Sequence, residues 1–177
     1  MGLAFADRRY WTVWGATLIF FGAFYTLLVP LPRYLDVIGL PDWQIGFILG
    51  AFGIASLFGR PLAGAFTDRL GSRPVILFGT AALTVGAAGV SLTTWPPALF
   101  VLRILQAAGY VTFTTASTAL IAHLAPAARR GAAIGFFGVA ANVAMTLTPA
   151  TISTGLTQSW FSLEGAFWLC GGMALLA

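Results

Sequence analysis

Long apolar stretches dominate this chain, and its charged residues fall almost entirely between them. A helix needs about 20 mostly apolar residues to cross a hydrocarbon core of ~30 Å. Five runs of that length, each bounded by charge or proline, predict transmembrane helices at about 10–29, 43–66, 74–92, 98–123 and 131–155. A sixth run, about 161–177, is still apolar at Ala177. Its helical rise of ~21 to 27 Å is too short to cross, so it is expected to be a truncated sixth helix that ends inside the membrane without a polar flank. The predicted fold is an all-α integral membrane bundle.

Composition agrees. The chain is 59% hydrophobic and 8% charged, with a mean hydropathy of +0.90, whereas a soluble domain carries about 25% charged residues. Asp7, Arg8 and Arg9 give the first run the look of a secretory signal, but its apolar core exceeds the ~7 to 15 residues of a signal and no small-x-small site follows. The lone cysteine, Cys170, lies within an apolar run and reads as a small packing residue.

All basic residues are arginine, and the net charge is +4. Clustered on one face they would suggest a nucleic-acid partner; set in short turns they read instead as topology determinants facing a lipid bilayer. Arg8, Arg9, Arg69, Arg73, Arg129 and Arg130 fall on one side and only Arg33 on the other. Arginine accumulates on the cytoplasmic side, so the N-terminus is expected in the cytoplasm, with Trp43, Trp95 and Trp160 at the outer interface. The absence of lysine beside abundant Ala, Gly and Arg points to a bacterial source.

Small residues let helix backbones approach where lipid offers no hydrophobic drive. Ala51, Ala55, Gly59 and Ala63 form such a stripe on the second predicted helix, and Gly131 and Gly135 a shorter one on the fifth.

One charge, Arg103, sits well inside a span, about two turns from its outer end. An intramembrane arginine is costly and marks a functional site by default. Arg103, Gln106, Tyr110, Thr114 and Ser117 share one broad helical stripe suited to lining a hydrated cavity; the alternative is that Arg103 fixes packing by bonding a neighbour's carbonyls. Arg60 lies close enough to the inner end to snorkel, and His123 sits at a helix end. Phe20, Phe21, Phe24 and Tyr25 offer either an aromatic cavity wall or packing. No Asp or Glu lies mid-span, so proton coupling would need a carboxylate outside this chain, or Asp36 reaching the cavity. No catalytic set, metal-ligand spacing or phosphate loop is present, and neither an enzyme nor a bound cofactor is expected.

Between the second and third runs the chain reads Gly64, Asp68, Arg69, Gly71 and Arg73, preceded by Arg60 and Pro61. Arg103, Gln106 and Gly109 follow in the fourth run, then Pro126, Arg129, Arg130 and Gly131. In order, spacing and sidedness these strings resemble the major facilitator motifs G-x-x-x-D-R-x-G-R-[RK], R-x-x-Q-G-x-G and P-x-x-R-R-G, with Ser72 where a basic residue is common and Ala107 replacing a glycine. The antiporter motif of the fifth helix survives only at Pro149, with Asn142 and Thr146 preceding it on a shared face. The resemblance implies the N-terminal six-helix half of a twelve-helix plasma-membrane permease of efflux type, moving a drug-like compound or sugar by alternating access. It also implies a cytoplasmic gating latch at Asp68 and a C-terminal half, or complementary chain, as partner. The alternative is a non-transporting truncated fragment or a half-subunit that needs another chain.

Overall fold

The computed structural model describes residues 8–177; residues 1–7, Asp7 included, lie outside the described residues. The helices are α1 (Arg8–Leu28), α2 (Leu31–Val37), α3 (Asp42–Leu70), α4 (Ser72–Leu92), α5 (Pro96–Leu124), α6 (Arg130–Thr157) and α7 (Leu163–Leu176), with a 3-10 turn at Ala127–Arg129. There is no strand among the described residues. Five spans, counting α1 with α2 as one, are long and apolar enough to cross a membrane, and α7, with 14 residues, is shorter. The protein is an all-α, multi-pass membrane protein.

The helices run past the apolar stretches that predict them. With 29 residues each, α3 and α5 span about 43 Å, longer than the hydrocarbon core, so polar turns such as Thr67, Asp68 and Arg69 stay helical beyond it. A single residue, Gly71, joins α3 to α4; at φ 83° and ψ 163° it occupies a conformation open to glycine, and its N–H donates to the Thr67 carbonyl at 2.9 Å. The short α2, absent from the hydropathy pattern, begins at a proline pair: Pro32 fills an early helical position that needs no donor, and the Pro30 carbonyl accepts from Tyr34 N–H at 2.8 Å.

Packing divides the bundle into two groups. α5 lies between α3 and α4, α1 between α6 and α7, and α4 against α7 joins the groups. Exchanging α1, α3 and α4 with α5, α6 and α7 maps these main contacts onto themselves, the relation expected of two inverted three-helix repeats. The tightest crossing is α4 on α5. A Cβ on Gly109 would meet Gly79 O and Leu83 N at 2.8 Å, and one on Gly86 would meet Gln106 Cγ at 2.6 Å. The small-residue stripe on α3 faces α5, with Ala51 and Ala63 buried and Gly59 next to Val111. Gly131 and Gly135 are exposed, and a side chain there would meet nothing within 4 Å.

The arginine-bearing turns share one end of the bundle: Arg9, Arg73 and Leu124 line a single groove of about 320 Å³. Trp43 and Trp95 line another at the opposite end, where Phe47 stacks on Phe100 at 4.8 Å.

Candidate functional site

The polar centre of the bundle is built from α5 inward. Arg103 is only 3% exposed, and its Nη1 donates to Gln106 Oε1 at 2.9 Å, one turn on along α5. Gln106, fully buried, donates from Nε2 to the Gly86 carbonyl of α4 at 2.8 Å. The glutamine is therefore held at both ends, and its oxygen is fixed toward the guanidinium. Gly86 makes this possible, since any side chain there would occupy the volume of the Gln106 stem.

The guanidinium carbon lies 4.7 Å from the ring centroid of Phe52 on α3. Phe52, Phe24 of α1 and Tyr110 of α5 form a triangle of rings, with centroids 5.3 Å apart for Phe24–Phe52, 4.5 Å for Phe24–Tyr110 and 5.5 Å for Phe52–Tyr110. Three helices thus converge on one cationic and aromatic site. Phe21 packs edge-on to Tyr110 at 5.7 Å, whereas Phe20, fully buried, stacks on Phe113 at 3.7 Å as packing. The Tyr25 and Tyr110 hydroxyls take no part in hydrogen bonds among the described residues.

Inserting an arginine at mid-helix costs about 2.5 to 3.5 kcal/mol on translocon scales. A desolvated cation–π contact returns about 2 kcal/mol and a hydrogen bond to a charged group about 1.5 to 3 kcal/mol, so the partners present offset the insertion. They do not neutralise it. Asp36, Asp42, Asp68 and Glu164 are all exposed at helix ends or in α2, and Arg103 has no ion-pair partner among the described residues. Its Nε is buried without a hydrogen-bond partner. With Nη1 committed to Gln106, the Nε–Nη2 edge remains, the parallel pair of donors that matches a carboxylate. An anion brought within ~4 Å would gain about 4 kcal/mol at an effective dielectric of ~20.

The other residues of the α5 stripe divide between two environments. Tyr110 and Thr114 are half-buried, while Ser117 is 1% exposed and donates back to the Phe113 carbonyl at 2.7 Å. Thr114 likewise donates to Tyr110 O at 2.9 Å. Asn142 and Thr146 lie on an exposed face of α6 and donate within their own helix, to Gly138 O at 3.0 Å and Asn142 O at 2.9 Å. No hydrogen bond joins them to α5 among the described residues. In the α3–α4 turn Asp68, Arg69 and Arg73 are exposed, and Asp68 has no ion-pair partner among the described residues. Gly64, one turn before Asp68, is half-buried with open space where a Cβ would stand. Arg60 and His123 are exposed. Phe52 and Gly86 belong to the site, yet sequence reasoning passed over both.

The family model of the Major Facilitator Superfamily matches residues 13–177. The chain belongs to the major facilitator superfamily. The chain is similar to Multidrug resistance protein 2 of Bacillus subtilis, at 24% identity over 85% of the chain and 37% of the relative. It is also similar to the multi-drug resistance efflux pump PmrA of Streptococcus pneumoniae, at 29% identity over 88% of the chain and 40% of the relative. For the quinolone resistance protein NorA of Staphylococcus aureus the figures are 25%, 90% and 40%. Among solved structures, the inward-open xylose transporter XylE from E. coli superposes with a TM-score of 0.75 at 18% identity, over 93% of the chain and 45% of XylE. The chain thus spans about 40% of the length of these curated relatives. Family and fold are those of a transporter rather than an enzyme.

Proposed function

We propose that this chain is the N-terminal half of a secondary transporter that exports small organic solutes from a bacterial cell by alternating access, with the Arg103 site forming one wall of its cavity. The observation that carries the reading is the buried Arg103, clamped by Gln106 and set against an aromatic triangle supplied by three helices. A packing strut would need the clamp but not an unpartnered donor edge. The name of PmrA, an efflux pump, supports export. The arginine-rich end faces the cytoplasm in this reading, so the solute cavity opens alternately toward Arg73 and toward Trp95. No cofactor is required, and any coupling proton rides on a carboxylate outside these spans.

A second reading is a half-subunit or fragment that moves nothing without a partner chain; the 40% coverage of PmrA favours it. Everted membrane vesicles bearing the intact protein test the export reading. Energised vesicles should accumulate a fluorescent solute, and an uncoupler should release it. Accumulation only in right-side-out vesicles would reverse the direction proposed.

A further inference from the structure

We infer that the solute taken by this site is an aromatic carboxylate, its anion paired with the Nε–Nη2 edge of Arg103 and its ring received by Phe24, Phe52 and Tyr110. The inference rests on the transporter reading above and adds the substrate class.

Sign comes first. The one charge buried within the described spans is positive, and no described acid lies deep enough to balance it. A cationic solute would bring a like charge into a medium of low dielectric, and a neutral one would leave the guanidinium uncompensated; only an anion relieves it. Geometry comes next. Gln106 is tied to Gly86 and to Nη1, so the guanidinium is held with one edge used and its two-donor edge unbonded. Two parallel donors fit a planar carboxylate better than a sulfonamide, an alcohol or a single halide. Shape completes the match. The ring triangle lies directly beside the charge, Phe52 being shared by both, so a flat apolar ring a bond or two from the carboxylate reaches it without turning. The phenol groups of Tyr25 and Tyr110 are further donors with no partner among the described residues. Arg103 and Phe24 are buried while Phe52 and Tyr110 are half-buried, so a solute would approach the guanidinium past those two rings.

The test uses the intact transporter, purified and reconstituted, with three probes of one ring system: 2-naphthoate, its methyl ester, and 2-naphthylmethyl-trimethylammonium. Binding is read by calorimetry and movement by counterflow. Naphthoate should bind at least tenfold more tightly than the ester or the ammonium, and Arg103→Gln should erase that preference. Arg103→Lys should restore part of it. Equal or tighter binding of the ammonium overturns the inference, and so does a preference for the acid that survives Arg103→Gln, since the carboxylate would then be held elsewhere. If Arg103→Gln does not fold, the three-probe series on the native protein decides alone. Counterflow separates the two readings: naphthoate binding without movement of any solute overturns the transporter reading and leaves the anion site standing.

Discussion

Arg103 and Gln106 stand one turn apart on α5 and share a 2.9 Å hydrogen bond whose far end is anchored in α4 at the Gly86 carbonyl. The glutamine is a neutral bracket between a helix crossing and a charge, and in the proposed site it serves stability and solute binding together. Gln106→Leu removes the bracket and leaves the buried Nη1 unpaired. It should lower stability by about 1 to 3 kcal/mol and reduce solute binding at least tenfold, measured by thermal unfolding in detergent and by calorimetry.

The glycines of the α4–α5 crossing give a sharper contrast. In Gly109→Ala the new Cβ would sit 2.8 Å from backbone atoms of α4, which cannot move aside independently. A loss of about 1 to 3 kcal/mol or more is expected, with a marked fall in membrane yield. Gly131→Ala, where nothing lies within 4 Å, should leave the isolated chain unchanged or slightly more stable. Parallel expression and thermal scans of the two variants check this.

The spans were legible because hydrocarbon thickness dictates run length, and the arginine turns because they interrupt those runs. Helix faces were less so. The spans are apolar nearly all round, so periodicity does not mark which side of a helix meets another. Gln106 and Ser117 read as lining a cavity; in the structure Gln106 is buried against the Gly86 carbonyl, while Ser117 donates to Phe113 O and lines the groove at the arginine-bearing end. Asn142 and Thr146 share a face as their spacing implies, but that face is exposed. Phe52 was hidden among the other aromatics of α3, and Gly86 among the three glycines of α4, because their roles exist only where α3 and α4 cross α5. The one sequence hint was the Gly79–Gly86 spacing, two helical turns apart on the face that α5 covers.

The α3–α4 turn separates local from long-range demands. Gly71, at φ 83°, should tolerate alanine poorly, with Gly71→Ala costing about 1 to 3 kcal/mol in the isolated chain. Asp68→Asn should cost the isolated chain nothing measurable, because Asp68 is exposed and has no ion-pair partner among the described residues. In the intact transporter the same substitution should shift the equilibrium between outward-facing and inward-facing states, read by the accessibility of single cysteines.

Orientation is open to direct labelling. Cys170 is fully buried, so a Cys170→Ala background should be well tolerated. On it, single cysteines at Ser72 and Ala128 should resist an impermeant thiol reagent in intact cells, and one at Asp42 should react. Labelling at Ser72 from outside would invert the topology.

Whether this chain is one half of an alternating-access machine is tested most directly by reconstitution. The 177-residue chain is placed in proteoliposomes alone and together with the complementary C-terminal half, and solute counterflow is measured alongside crosslinking between the two chains. Two bundles must move against each other across the solute site, so the chain alone should insert stably and give no saturable flux, and adding the second half should restore it together with crosslinks at the Asp68 turn. Saturable flux from the chain alone, with crosslinking showing only monomers, would contradict the half-transporter reading.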